Sequence, residues 1–312
     1  MCVGAAIENR TIGNAVPARR DDNADMKPQT ENRYLQRVDR AIRLLAERLD
    51  DPPTADELAR AVGVSRFHFQ RIYRAATGET VLDTLRRLRA CRAIESLAAG
   101  ASVTDVAGTV GYETPQAFSR AFRQWTGMAP NEVHGRPDEL LGRFLRPTPP
   151  DPKPLAIEIA SIRPMRLTVL RTRRPFGPLN DVYETLFEAV ERQGRLPAVQ
   201  GIFGLPGNDP LSDPHGIEEH AAAVLLDGPP LTGFESVSIG ATPALRLRHV
   251  GPFEGIDATQ LEIYRYVVDR DRSLADTPPL HHHLDDPEEV PAERLRTDLY
   301  LALLDPGQGA SR

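Results

Sequence analysis

The sequence predicts two domains of different class: an all-α domain holding two helix-turn-helix units, then an α+β domain built from a duplicated strand-helix-strand unit. Three observations carry the prediction. Asp56-Glu57-Leu58-Ala59 to Val62-Gly63 recurs as Thr104-Asp105-Val106-Ala107 to Val110-Gly111, 48 positions on, and Phe69-Gln70-Arg71 to Thr77-Gly78 recurs as Phe118-Ser119-Arg120 to Thr126-Gly127, 49 positions on. A proline run, Pro147-Thr148-Pro149-Pro150-Asp151-Pro152-Lys153-Pro154, separates that repeat from the C-terminal half of the chain. That half carries alternating apolar runs and a weaker repeat, in which Pro175-Phe176, Leu179 and Leu186-Phe187 recur as Pro252-Phe253, Ile256 and Ile263-Tyr264, 77 positions on. Fixed spacing means one supersecondary unit used twice.

Taken in order, residues 1–32 are polar, rich in Asn, Asp and Arg, and read as a disordered arm. From Tyr34 the spacing of Leu35, Val38, Ile42, Leu45 and Leu49 marks an amphipathic helix, ended by Asp50-Asp51-Pro52-Pro53. Thr54 with Glu57, and Ser102 with Asp105, have capping-box spacing, so both repeats open a short helix at the same place. Gly63 and Gly111 then supply the turn. Ser65 caps the next helix in the first copy; in the second, Thr114 caps it and Pro115 takes the first helical position. Leu85, Leu88, Cys91 and Ile94 mark a helix from Val81 to about Ala98, a rod of about 27 Å between the two units. Residues 33–146 thus form the helical domain and 147–154 a stiff, extended linker. In 155–304, Arg166–Leu170, Ala222–Leu226, Leu245–Arg248 and Asp298–Leu301 are strand candidates, with helices at about 179–193 and 256–269. Residues 305–312 are a tail.

The 312 residues suffice for two buried cores, and their net charge of −6 is unevenly spread. Residues 33–146 hold 18 Arg against 14 Asp plus Glu; residues 147–312 hold 16 Lys plus Arg against 25 Asp plus Glu. A basic module joined to an acidic one suggests that the first faces nucleic acid. Cys2 and Cys91 are too few for a metal site or a disulfide framework, and neither metal nor cofactor is expected. No apolar run approaches the roughly 18–20 residues of a membrane span, and the start lacks the apolar stretch of a signal peptide, so a cytoplasmic location is expected.

The second helix of each unit carries the chemistry. Phe69, Ile72, Tyr73 and Ala76 form one stripe, matched by Phe118, Ala121, Phe122 and Trp125, and these are the expected buried faces. The opposite stripes are Phe67, Gln70, Arg71 and Arg74, against Gln116, Ser119, Arg120 and Arg123. Gln bonds bidentately to adenine, Arg to guanine, and an apolar ring meets a thymine methyl. Phe67, Gln70, Arg71, Gln116 and Arg120 are therefore the base-reading candidates, and Arg66, Arg74 and Arg123 the phosphate contacts that fix register. For a single helix an Arg/Gln stripe is more often a solvated face; its recurrence after the same turn favours double-stranded DNA as partner. The connecting rod is of the order of the ~34 Å between successive major grooves on one face of the duplex.

On these residues, 33–140 resemble the DNA-binding domain of the arabinose-regulator (AraC/XylS) family of bacterial transcription factors. The likeness runs through Leu58-Ala59, Val62 to Arg71, Val106-Ala107, Val110 to Glu113, Ala117 to Phe122 and Gly127 to Pro130. The resemblance implies base contacts at Phe67, Gln70, Arg71, Gln116 and Arg120. Gly108 inside a helix, and Val133 where the family has an aromatic, depart from its pattern and imply a looser second unit.

Residues 155–304 resemble the gyrase-inhibitor-like (GyrI-like) effector domain of multidrug-responsive regulators, through His249 to Phe253, Leu284 to Pro291 and Thr297 to Leu301. The resemblance implies an aromatic-lined groove with a buried acid for lipophilic cations. By position Asp298 is that acid, with Phe176, Tyr183, Phe253, Tyr264 and Tyr300 as walls; each aromatic taken singly is as well explained as ordinary core. His281-His282-His283 stands where similar domains place a glutamate and a tyrosine. His281 and His283 alternate onto one face and read as titratable lining or plain surface rather than metal ligands, since no third ligand is marked by spacing.

The expected function is a sequence-specific transcription regulator, not an enzyme, that responds to a small-molecule effector. Small-molecule hydrolysis by the GyrI-like domain is one alternative, and the chain lacks a nucleophile elbow, a phosphate-cradling glycine loop and a metal cluster. A protein-binding module, its acidic half mimicking DNA or contacting RNA polymerase, is the other.

Overall fold

A computed structural model describes residues 32–133, 137, 140–141, 156–213 and 215–304. The expected arm, linker and tail fall outside the described residues, apart from Asn32 at the arm's end. By their contacts the residues divide into two units, Met1–Gly63 with Ala76–Pro149 and Val64–Ala75 with Pro150–Arg312. The helices of the first half are α1 (Arg33–Glu47), α2 (Ala55–Val62), α3 (Arg66–Thr77), α4 (Val81–Ala98), α5 (Val103–Thr109) and α6 (Pro115–Thr126). All of α3 up to Ala75 belongs with the second unit.

In the first unit the caps are local and sequence-encoded. Asn32 accepts from the amides of Tyr34 and Leu35 at the start of α1. Thr54 and Glu57 form the reciprocal box that opens α2, the Thr54 amide donating to Glu57 Oε2 at 2.7 Å and the Glu57 amide to Thr54 Oγ1 at 3.2 Å. Ser102 does half of this for α5, accepting from the Asp105 amide at 3.1 Å while its hydroxyl donates to the Asp105 carboxylate at 2.6 Å. The turn glycines Gly63 and Gly111 sit at φ +66° and +79°. Ala93, Ile94 and Leu97 of α4 pack with Val106, Val110, Phe118 and Phe122 in one core. Val133, at the position expected to loosen this unit, is fully buried in that core. A buried ion pair, Arg87 with Glu79 at 2.7 Å, braces α4, and Glu79 also accepts from the Thr84 hydroxyl.

The second unit holds an eight-stranded antiparallel sheet and two long helices. The elements are β1 (Glu158–Ile162), β2 (Met165–Pro175), α7 (Asn180–Arg192), β3 (Val199–Pro206), β4 (Ile217–Leu226), β5 (Glu235–Ile239), β6 (Thr242–Val250), α8 (Ile256–Asp269), β7 (Leu280–His283) and β8 (Arg296–Ala302). The strand order β1-β6-β8-β7-β3-β4-β2-β5 reads the same from either end once β1 to β4 are exchanged with β5 to β8. The expected duplication is thus present and larger than the sequence suggests: each copy contributes four strands and a helix, and the shift of 77 carries β1 onto β5 residue for residue. Register obeys it too, since Glu158 opposite Arg246 corresponds to Glu235 opposite Val169. The first strand of each copy pairs with the second strand of the other, β1 with β6 and β5 with β2. On one face Val182, Leu186 and Val190 of α7 bury Ala222, Val224 and Leu226. The other face has its own core of Leu167, Val169, Phe203, Leu205, Ala221, Ala223, Ala244 and Leu280.

Candidate DNA interface and effector face

The α6 helix carries the second set of DNA candidates. Thr114 caps it through the Ala117 amide and Pro115 opens it, so its first turn leads with Gln116. Phe118 and Phe122 are fully buried on one side, which turns Gln116, Arg120 and Arg123 outward to solvent. Between α6 and the 3₁₀ turn Pro130–Glu132 lies an open depression of about 650 Å³, walled in part by Ser119, Arg120 and Arg123. Donors on an exposed, rigid helix suit bidentate contact with base edges and phosphates.

The equivalent candidates on α3 stand otherwise. Arg71 is 2% exposed and Arg74 8%, while Phe67 and Gln70 are half-buried and Arg66 is exposed. Every polar member of the stripe has a partner within residues 208–257. Arg74 Nη2 donates to both carboxylate oxygens of Asp257, at 2.9 and 3.1 Å, and Arg74 Nη1 lies 3.4 Å from Asp209 Oδ1. Arg71 donates to the carbonyls of Asn208 and Phe67. Gln70 uses both ends of its amide, donating to the Ser212 carbonyl at 3.5 Å and accepting from the Asp209 amide at 3.3 Å. Arg66 pairs with Glu219 at 3.1 Å and lies over the Phe67 ring. Ser65 donates to Asp276 while accepting from the Phe67 amide, the cap expected of it. His68, on the side of the helix not singled out from sequence, is buried against α8. Its Nε2 donates to the Ala275 carbonyl at 3.0 Å, which leaves Nδ1 to accept from the Tyr264 hydroxyl at 2.7 Å. Burial, with the Arg71 charge adding to it, holds the His68 pKa down at about 4.

The effector candidates do not form one site. Asp298 and Tyr300 lie on one face of β8, with His282 opposite Asp298; His281 and His283 lie opposite Leu299 and Thr297, and so on the other face. Asp298 is not a free acid for a cation. Burial would raise its pKa, but Arg248, bonding at 2.7 and 2.9 Å, and Arg246 at 3.1 Å hold it down. Tyr264 is fully buried and committed to His68, so it is core rather than wall, and Phe176 is 53% exposed. Tyr183 and Phe253 do come together on His283, whose ring lies 5.7 Å from the first and 5.2 Å from the second.

Around these three lies a polar cluster that sequence reasoning missed. The Tyr183 hydroxyl donates to the Phe203 carbonyl at 3.1 Å and stands 3.3 Å from Nε2 of both His220 and His283. His281 donates to Gln260 on α8, and His283 contacts the Thr297 hydroxyl. Burial lowers His220 to about 3 and His283 to about 4, and holds His281 well below the usual imidazole range. The acid on this face is Glu218, in the row Glu218, His220, Ala222 of β4, mostly buried and with its pKa raised by that burial. Glu218 and His220 alternate within an apolar strand, a pattern that marks no more than a strand. Among the described residues no group of three or more His, Cys, Asp or Glu is arranged to hold a metal, and no helix is long and apolar enough to cross a membrane.

Residues 58–136 match a helix-turn-helix domain family, and residues 155–304 match the GyrI-like small molecule binding domain. The regulatory protein SoxS of Escherichia coli is 31% identical over 96 residues, 30% of this chain and 90% of SoxS. The bifunctional transcriptional activator/DNA repair enzyme Ada of Escherichia coli is 30% identical over 118 residues, 38% of this chain and 33% of Ada. Among solved structures, the C-terminal domain of EcmrR aligns with 48% of this chain and 98% of its own, at 15% identity and a TM-score of 0.40.

Proposed function

Since the chain belongs to the AraC/XylS family of transcription regulators and carries a GyrI-like small-molecule-binding domain, we propose that it reads DNA through α3 and α6 and is governed by an organic cation. The observation that supports the DNA assignment most directly is that Gln116, Arg120 and Arg123 are exposed together on α6, opposite the buried Phe118 and Phe122; in this reading Gln116 and Arg120 contact base edges and Arg123 a phosphate. Phe67, Gln70 and Arg71 are the corresponding base readers of α3, with Arg66 and Arg74 on phosphates. The domain boundaries that go with this reading are 33–146 and 155–304.

For the effector, the face bearing Tyr183, Phe253 and His283 with Glu218 is favoured over Asp298, because Glu218 meets no hydrogen-bond donor at Oε2 whereas two arginines neutralise Asp298. An acid beside aromatic rings attracts a cation through charge and ring quadrupole together. RNA polymerase is the proposed protein partner of the DNA-bound form. Regulation rather than catalysis is the activity proposed.

Selection of bound fragments from genomic DNA with the purified chain tests the DNA reading. It should return a shared sequence whose affinity falls steeply with salt through counterion release; fragments without a common sequence, or a flat salt response, would refute it. Titration with a quaternary aromatic ammonium ion tests the effector reading, with Glu218→Gln expected to weaken binding and Asp298→Asn not.

A further inference from the structure

The partners of the α3 stripe have the chemistry of a DNA groove. Gln70 donates to a carbonyl and accepts from an amide, the same pattern that adenine offers at N7 and N6. Arg71 donates to a carbonyl oxygen, as it would to guanine O6. The two arginines assigned to phosphates, Arg66 and Arg74, instead meet the carboxylates of Glu219, Asp209 and Asp257. Burial and bonding of this kind across a whole stripe exceed what a solvated helix face makes.

We propose that Asn208, Asp209, Ser212 and Glu219, together with Asp257 at the start of α8, form an intramolecular mimic of DNA that holds α3 as its ligand, so that this surface and the duplex exclude one another on α3. The inference rests on the assignment of α3 as a DNA-reading helix. The side chains that read bases in one state meet Asn208, Asp209 and Ser212 in the other, where the terminal nitrogens of Arg71 and Arg74 find acceptors although their Nε atoms do not. Asp209, 1% exposed, accepts from the Ser212 hydroxyl through Oδ2 and turns Oδ1 to Arg74, and Asp257 in the first turn of α8 also faces Arg74. Such a chain reads DNA through α6 alone until α3 is released. Release adds the second block of sequence, and with it both specificity and affinity.

The test compares the full chain with the Asp209→Asn/Asp257→Asn variant in selections from a randomised duplex library. The unaltered chain should recover one block of conserved base pairs. The variant should recover two, about one helical turn apart, and bind a two-block duplex about tenfold more tightly, within the usual range of coupling between sites. Recovery of the same two blocks with equal affinity by both proteins overturns the mimic while leaving the DNA reading intact; recovery of no common sequence by either removes both. Hydrogen exchange on the unaltered chain gives a second measure that does not depend on how well the variant folds. Amides of 208–213 should exchange faster when the chain is saturated with the two-block duplex than when it is free, and unchanged or slower exchange overturns the proposal.

Discussion

Arg71 and Arg120 occupy the same place in the two copies of the repeat, 49 positions apart, yet Arg71 is buried and bonded to the Asn208 carbonyl while Arg120 is exposed to solvent. Equivalent sequence therefore does not mean equivalent environment. Replacing Arg120 by Ala should leave the free energy of unfolding within about 0.5 kcal/mol and weaken DNA binding by about 1–3 kcal/mol. Arg71→Ala should cost about 1–3 kcal/mol of stability, because buried acceptors lose their donor. Urea unfolding of the two variants checks this, and equal stability losses would contradict it.

Acid should loosen the second unit through its buried histidines. His68, His220 and His283 are held at about 4, 3 and 4 by burial, against an unfolded value of about 6.5. Above pH 6.5 these rings are neutral in both states and contribute no pH dependence. As the pH falls below 6.5 the unfolded chain takes up protons that the folded chain refuses, so stability is lost through the window down to about 4. At pH 5 each ring should cost about 2 kcal/mol. For His68 the groups facing it are Tyr264, the Ala275 carbonyl, Arg71 and Asp276. Unfolding titrations at pH 7 and pH 5 measure the effect; His68→Gln should remove its share.

The close approach of Tyr183 to β3 depends on Gly204. A Cβ at that position would lie 2.9 Å from the Tyr183 hydroxyl and 3.0 Å from the His220 ring. Gly204→Ala should thus destabilise by about 1–3 kcal/mol through overpacking. In the background of Tyr183→Phe the penalty should shrink, since the hydroxyl is the nearest atom. Thermal unfolding of the single and double variants decides it.

In the first unit, Glu79→Ala should cost about 3–5 kcal/mol by leaving the Arg87 guanidinium buried without its carboxylate. Glu79→Gln, which keeps an oxygen for the Thr84 hydroxyl and for Arg87, should cost less. A loss below 1 kcal/mol for Glu79→Ala in chemical denaturation would show that water reaches the pair.

The helical half is legible because its signals are local. Caps, turn glycines and stripes lie within a few residues of what they control, and the helices start at Thr54, Ser102 and Thr114 as the capping residues require. The strand runs read from sequence fall in β2, β4, β6 and β8, each apolar enough to stand out. The other four strands carry weaker patterns. β3 contains Gly201 and Gly204 and ends at Pro206, β7 is four residues long with three of them His, and β1 and β5 are half-exposed edges. For the same reason the duplication is visible in the sequence only at its apolar anchors. Site residues obey the same rule. The donor types of α3 and α6 follow from their stripes, but the burial of Arg74 depends on Asp209 and Asp257, more than 130 positions away and without local signature. The pairing of Asp298 is not visible in the sequence, because position along a strand does not reveal which cation stands on the neighbouring strand; Arg246 and Arg248 on β6 bond it.

The exchange of outer strands between the two copies has an ancestral meaning. A gene encoding only one copy would produce a chain whose leading strand finds no place on its own half, because β1 completes the half begun by β6 and β5 the half begun by β2. Such a precursor would be a homodimer with swapped arms, and fusion of two genes would convert that obligate association into a single molecule. In the single chain the halves need not be identical, and Tyr183 in one stands where Gln260 stands in the other, 77 positions on.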